Sequence, residues 1–443
     1  MRLTSLSLKQ FKAFREARIE FAPLTVFIGK NNAGKSSLLH ALTLLAQSSL
    51  SGQVNARSPV DLGQSPSVLI HRGPGAVAGA GWEIGLLWAG TVADVAPGVQ
   101  SYGPVYLGLD TTFKPEGLWD IAERVEITDE VGRAVRVRVT APNAGRQTMS
   151  IEAGEFRDTS RHFPGISEIA SFHRRSTFSF EPGVTELPSP AAEIVRGGPG
   201  EVMDYVLRVA SPLLIDGAPK FFERFRYVGP NRHVDQTVYP LGQQLPTTIN
   251  GPNDLMTLLA YRPDVLSRVS ERCRQVFGYE ITLQLVPSQQ VSLTALGPGH
   301  SLNLTSMGTG LVQMLWVLTT LEMAASGNDH LPQLTPAVGL EEPELHLHPS
   351  AQSDVAKILA HFATSGLQVV CTTQSEHLLM ALATVVLSGE LPAESLYVYY
   401  VQDGRAERLI VDERGQIEGG LRGFFEGDED QLRRYIGLLR NRG

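Results

Sequence analysis

The run LTVFIGKNNAGKSSLLHALTLLAQ, residues 24–47, restricts the fold more than any other part of the sequence. Leu24 to Ile28 are apolar or β-branched and read as a buried strand, a glycine turn follows at once, and from Ser36 the apolar spacing becomes that of a helix. Within the turn, Gly29-Lys30-Asn31-Asn32-Ala33-Gly34-Lys35-Ser36 fits GxxxxGK[ST] at every position, in the strand–turn–helix setting that gives the motif its meaning. Its two glycines let the backbone curl so that successive N–H groups face one point, where the helix N-terminus adds partial positive charge. A phosphate is what such a loop holds. Lys35 would reach the β- and γ-phosphates of a bound triphosphate as a catalytic cation, and the Ser36 hydroxyl would ligate Mg2+. Asn31, Asn32, Ala33 and Ser37 complete the expected binding loop.

A loop of this kind needs an acidic site at the end of another strand, to hold the metal and to orient water. The apolar LTPAVGL runs into GLEEPELHLHP, residues 339–349, which puts three carboxylates and two histidines into eleven residues. Glu341 stands where the strand stops and would bind the metal through its water shell. Glu342 follows and would polarise the attacking water, a role that suits a carboxylate whose proton affinity neighbouring phosphates raise. Pro343 ends the strand. Glu344, His346 and His348 lie beyond; an HxH pair can ligate zinc, yet neither a Cys nor a third His lies at usable spacing, so a surface near the nucleotide is the other reading.

These two motifs are about three hundred residues apart, so the halves of one sheet come from opposite ends of the chain. With 443 residues, 42% of them apolar and 19% charged, there is ample material for a core. The expected class is α/β: a P-loop core with a strand-rich lobe, an inserted α+β region and no heptad array of the coiled-coil kind. Residues 1–60 and 226–443 are assigned to the core and 61–225 to the insertion, whose first part alternates apolar with polar residues. The segment DLMTLLAYRPDVLSRVSERCRQVFG reads as helical, and GFFEGDEDQLRRYIGLLR as a closing helix. A net charge of −8 argues against coating nucleic acid by charge alone. Two cysteines fit a reducing cytoplasm, and residues 75–93 are too glycine-rich, with Glu83 at their centre, for a membrane span.

GKNNAGKSSLL, NLTSMGTGLVQ, LEEPELHLHP and CTTQSEHLL, in that order, resemble the ABC-type ATPase heads of the RecF/SMC/OLD branch. In particular they are similar to the bacterial AAA-family ATPases encoded beside defence nucleases. The resemblance implies ATP and Mg2+ as ligands. It also implies that Ser306, Gly308 and Gly310 form a signature loop capping the nucleotide of a second protomer; on the residues alone, Ser306 reads equally as an N-cap for the helix that follows. Gln374 falls where such families often carry a histidine near the γ-phosphate, and Glu341 where aspartate is commoner. Gln64 is the candidate loop glutamine sensing the metal, against an ordinary turn. Arg232, in YVGPNRH, resembles a PxR motif that would reach phosphate or a carboxylate, against a structural salt bridge. Arg15 is a candidate nucleotide contact.

The implied function is an ATP-driven switch in which head dimerisation, or a higher homo-oligomer, controls a separately encoded nuclease or toxin in anti-phage defence. The alternative is a DNA repair or recombination head of the RecF/SMC type. The stretch around Arg157, Arg161, Arg174 and Arg175, interleaved with Phe156, Phe163 and Phe172, reads as a nucleic-acid or partner grip or as a solvated face.

Overall fold

The computed structural model describes residues 1–51, 56–57, 60–62, 69–76, 81–91, 104–113, 119–128, 134–142, 148–153, 156–161, 218–246, 248–326 and 335–417. The chain divides into two compact units, one of Met1–Phe21, Ser37–Phe225 and Asn328–Ala337, the other of Ala22–Ser36, Arg226–Gly327 and Val338–Gly443. Elements are numbered in chain order.

The first unit is built on one antiparallel sheet. The hairpin β1 (Arg2–Phe11) and β2 (Phe14–Glu20) is extended by β4 (Trp82–Thr91), β5 (Pro104–Phe113), β6 (Trp119–Thr128), β7 (Ala134–Pro142), β8 (Thr148–Ala153) and β9 (Phe156–Arg161), in the order β2-β1-β4-β5-β6-β7-β8-β9. In β1 the buried residues Leu3, Leu6 and Leu8 break strict alternation, and a register shift between Leu3 and Ser5 against β4 is the reason: one extra residue turns Leu3 back to the same face as Leu6. Phe11, Trp82 and Phe113 pack in series, with ring centroids 5.7 and 5.0 Å apart. Trp88 meets the edges of Phe221 and Phe222 from α2 (Ala218–Arg224). The helix α1 (Lys35–Ser51) buries Leu38, Leu42 and Leu45, one stripe at helical spacing. The sequence division between 60 and 61 therefore does not coincide with the units. Strand β4 pairs with β1 from Arg2↔Ala89 to Lys9↔Glu83, so strands β4 to β9 continue the sheet of the N-terminal hairpin.

The second unit holds a six-stranded sheet, β10-β15-β16-β3-β17-β18, with β3 (Leu24–Ile28) inside it. Its members are β10 (Arg226–Val228), β15 (Ala337–Glu341), β16 (Gln368–Thr373), β17 (Leu396–Gln402) and β18 (Arg405–Leu409). Strand β3 runs parallel to both β16 and β17, and β10 runs parallel to β15. Every residue of β3, β15 and β16 is buried, as strands of a parallel sheet covered on both faces should be. A second, antiparallel sheet combines β11 (Tyr239–Pro240), β13 (Gln290–Gly297) and β12 (Glu280–Val286), with β14 (His300–Asn303) paired to β13.

Among the described residues the helices of this unit are α3 (Pro252–Tyr261), α4 (Pro263–Phe277), α5 (Thr309–Ala325), α6 (Pro349–Thr364) and α7 (Glu376–Leu387). The segment read as one helix from sequence is two, because Pro263 restrains Arg262 from helical geometry and then opens α4 at its first position. Gly278 closes α4 in the left-handed conformation at φ 75°. Among the described residues no helix is long and apolar enough to cross a membrane. The predicted closing helix after residue 417 lies outside the described residues. The architecture is mixed α/β, as expected from the sequence.

Candidate functional site

The phosphate loop and the acid pair belong to the second unit. The loop from Gly29 to Gly34 curls because three of its residues take positive φ: Gly29 at 152°, Asn32 at 63° and Gly34 at 104°. At Gly29 the choice of residue is forced twice, since an added Cβ would lie 2.3 Å from the Val401 carbonyl oxygen of the neighbouring strand β17. Asn31 and Asn32 are exposed, and Ala33 is half-buried. Lys35 is buried, and its ammonium donates to the carbonyls of Gly29 at 2.8 Å and Lys30 at 2.9 Å. Burial holds this ammonium below the usual lysine range, against the opposing pull of Glu342 and Glu341. The lysine thus closes the loop on itself and bridges the curl from inside.

The acid pair sits beside this loop. The Ser36 hydroxyl donates to Glu341 Oε2 at 2.7 Å, across 305 positions of sequence. On the other lobe of the same carboxylate, the Tyr227 phenol donates to Glu341 Oε1 at 2.6 Å. Burial, reinforced by Glu341, pushes the Tyr227 phenol far above its ordinary pKa, so it stays a donor. A hydroxyl and a carboxylate oxygen at hydrogen-bond distance are the hard oxygen ligands that Mg2+ takes, so Ser36 and Glu341 fit the ion that the motif implies.

Glu342 is a non-glycine residue at φ 45°, a conformation that typically costs about 1–3 kcal/mol and persists only where the surroundings over-determine it. They do so here. Its amide donates to Thr372 O at 2.9 Å, and its carbonyl accepts from Leu345 N at 3.0 Å and from Arg232 Nη2 at 2.6 Å. The Gln374 side-chain amide donates to Glu342 Oε1. Gln374 therefore meets the expected base directly, and Ser375 beside it caps α7 by accepting from Leu378 N. Glu344 is buried too; Thr373 donates to its Oε1, while its Oε2 is buried with no hydrogen-bond partner among the described residues. Burial pushes the Glu344 carboxyl above the usual carboxylate range, with Glu342 adding to the effect and Thr373 opposing it.

Arg232 is one of the largest fully buried side chains. Its Nη2 donates to the carbonyls of both Glu341, at 2.9 Å, and Glu342. It meets backbone carbonyls, where the sequence suggested phosphate or a carboxylate partner. Burial lowers the guanidinium to about 10, against the pull of Glu344, Glu342 and Glu341. Its own carbonyl accepts from the side chain of Gln313, on α5, at 2.6 Å.

The 306–310 turn opens α5. The N-cap is Gly308, without a side-chain hydrogen bond, so the reading of Ser306 as the helix cap is corrected: Ser306 stands two residues early and is exposed. Its amide donates to the Asn303 side chain at 3.1 Å. An added Cβ at Gly310 would lie 2.8 Å from Leu347 Cδ2 and 3.0 Å from His346 O, which seats the start of α5 on the turn after the acid pair. Among the described residues the 306–310 turn makes no hydrogen bond to the 29–36 loop. His348 caps α6, its Nδ1 accepting from Ser350 N, and His346 is exposed at φ 64°. Of the remaining candidates, Ser37 is buried on α1 and Arg15 is exposed on β2, both in the first unit, while Gln64 and most of the basic aromatic segment lie outside the described residues. Tyr227 and Gln313 are the site residues that sequence reasoning missed.

Residues 1–71 match the family described as "AAA ATPase domain", and residues 224–381 match "AAA domain, putative AbiEii toxin, Type IV TA system". Both matched families are described as AAA-type domains. The matched stretches of the AAA domain contain the 29–36 loop, Arg232, Gln313, Glu341, Glu342 and Gln374. Among solved structures, the SMC head domain from Thermotoga maritima is 12% identical, with 93% of this chain and 100% of that chain covered at a TM-score of 0.40. The Smc head domain with a coiled coil and joint derived from Pyrococcus yayanosii is 10% identical, with 96% and 99% covered at a TM-score of 0.46. No curated protein matches the chain in sequence.

Proposed function

We propose that the protein hydrolyses ATP, and that ATP-dependent pairing of two such heads is a switch controlling a partner effector. The contact of Ser36 with Glu341 carries this reading, because it joins the phosphate loop to the acid pair although the two are coded at opposite ends of the chain. In the proposal, Gly29 to Ser36 bind the triphosphate, Lys35 exchanges its two carbonyl partners for phosphate oxygens, and Ser36 and Glu341 hold Mg2+. That ion supplies charge neutralisation at the phosphates. Glu342 accepts a proton from the attacking water, and Gln374 orients it. A glutamine can donate a hydrogen bond but cannot become a cation, so slow turnover suits a timer better than a motor.

Ser306, exposed and free of any capping duty, is available in this reading to the nucleotide of a second protomer. The family description naming a putative AbiEii toxin of a Type IV TA system supports a toxin–antitoxin setting for that switch. Three substitutions test it. Lys35→Ala is expected to abolish ATP binding, Glu342→Gln to retain binding while stalling hydrolysis in a persistent dimer, and Ser306→Arg to bind as a monomer without closing. Full turnover by Glu342→Gln removes it as the base, and normal hydrolysis by Ser306→Arg removes the two-chain site. Salt-dependent DNA binding that strengthens with ATP would favour a RecF-type head instead.

A further inference from the structure

Arg232 and Gln313 connect two parts of the site that the proposed chemistry uses separately. Gln313 and Gly310 are three residues apart on α5 and therefore share a face of that helix. Gly310 lies against His346 and Leu347, and Gln313 donates to the Arg232 carbonyl at 2.6 Å. Arg232 in turn donates through one nitrogen, Nη2, to the carbonyls of Glu341 and Glu342. The two side chains are buried: Arg232 is 2% exposed and Gln313 7%. Among the described residues the Arg232 Nε and Nη1 atoms have no hydrogen-bond partner, so the directional hold of this guanidinium falls on those two carbonyls. One of them belongs to the residue at φ 45° whose side chain is the proposed base.

A backbone in that conformation has few ways to relax except by rotating the peptide groups on either side, and Arg232 grips both: the carbonyl of Glu341 precedes the Glu342 Cα and that of Glu342 follows it. Slack in the grip would swing the Glu342 carboxylate; among the described residues neither Arg232 nor Gln313 bonds directly to the 29–36 loop, which meets the gripped segment through Ser36 and the Glu341 carboxylate. We propose that Arg232 and Gln313 are positioning residues forming a strut, which fixes the aim of Glu342 and transmits displacement of the 306–310 turn, through α5, to the base. The inference rests on the ATPase reading for what Glu342 does, though not for the strut itself. It adds a consequence: a partner engaging Ser306 sets the geometry of the base on the same chain as that Ser306, as well as capping its own nucleotide.

The test uses the full-length protein with Gln313→Leu and Arg232→Lys. Gln313→Leu removes the amide donor at nearly constant volume, and Arg232→Lys keeps the charge with a single ammonium. Two quantities are measured: amide hydrogen exchange of the peptide spanning 340–346, and steady-state ATP turnover split into kcat and KM. Loss of one buried hydrogen bond predicts exchange of that peptide faster by roughly tenfold or more, and kcat lower by about 10- to 100-fold with KM within about threefold. In the wild type, a slowly hydrolysed ATP analogue should slow exchange at 340–346, and Gln313→Leu should abolish that response while exchange of the 29–36 peptide still responds. A merely structural role would instead raise exchange throughout the second unit and move KM together with kcat. Unchanged exchange at 340–346 in both variants overturns the strut, whatever happens to turnover. Faster exchange in the variants of a protein whose wild type has no turnover would support the strut and overturn the ATPase reading.

Discussion

Substitution of Gly29 by alanine tests whether the phosphate loop is built against its sheet as described. Two penalties add at this position. The first is conformational: at φ 152° an L-residue is held where essentially only glycine is found, which costs about 1–3 kcal/mol. The second is steric. The new methyl would stand 2.3 Å from the Val401 carbonyl oxygen, and this oxygen is backbone in β17, which pairs with β3 through Tyr400↔Ile28 immediately beside the loop. It cannot rotate away as a side-chain tip would, so either the ladder opens or the loop lifts, and forced overpacking of this kind costs about 1–3 kcal/mol. Together the loss is roughly 2–6 kcal/mol, which in a unit of roughly two hundred residues corresponds to a fall in Tm of about 5–20 °C. Gly278→Ala is the control, because Gly278 has φ 75° with open space around it and should lose only about 1 kcal/mol. Thermal melting of both variants isolates the clash, and a fluorescent ATP analogue reports whether the loop keeps its shape. Melting of Gly29→Ala within about 2 °C of Gly278→Ala, with wild-type nucleotide affinity, would refute the placement of this loop against β17.

Two further outcomes follow from the acid cluster. Tyr227→Phe deletes a donor to a carboxylate and should destabilise the protein by about 1.5–3 kcal/mol, while raising the Mg2+ concentration that half-saturates turnover; unchanged denaturation and Mg2+ titration would remove Tyr227 from the site. Glu344 should impose a pH slope. Its folded pKa is raised, so its contribution is fully present below the ordinary carboxylate value of about 4.3 and is lost as pH rises through the folded value. Stability should therefore fall from acidic toward neutral pH by up to about 1.4 kcal/mol per pH unit from this group alone. Glu344→Gln should flatten that slope in chemical denaturation, and parallel profiles for variant and wild type would show that Glu344 is not the cause.

What was legible in the sequence was local. The 29–36 loop is a contiguous motif flanked by a strand and a helix whose apolar periods differ, and the acid pair follows an unbroken apolar strand. Both could be read without knowing the topology. Tyr227 could not. It matters because β10 runs parallel to β15 with Tyr227 opposite Gly339, a register that sets it two positions from Glu341 on the adjacent strand. Gln313 depends likewise on the phase of α5, a helix apolar on nearly every side, where one polar residue carries no sign of its partner. The joining of β4 to β1 was hidden for the same reason, since alternation tells which residues face inward and leaves open which edge they pair with. The break between α3 and α4 was present in the sequence as Arg262-Pro263, a local signal outweighed by the helical period on either side.

The site is closed upon itself, and that closure bears on how it can bind a highly charged ligand without being destabilised by its own charges. Lys35 is bonded to loop carbonyls, Ser36 to Glu341, Glu341 also to Tyr227, and Gln374 to Glu342. Each group that the chemistry needs already has a partner within the set, which keeps the buried charges from standing uncompensated. Nucleotide binding, in the ATPase reading, then exchanges these bonds one for one: Lys35 moves from carbonyls to phosphate, Ser36 from carboxylate to metal, Gln374 from carboxylate to water. The holds on backbone, Arg232 to the carbonyls of Glu341 and Glu342 and the Glu342 amide to Thr372, need no exchange. They are the fixed part against which the others move, and so a loosened Arg232 should impair turnover while nucleotide binding survives.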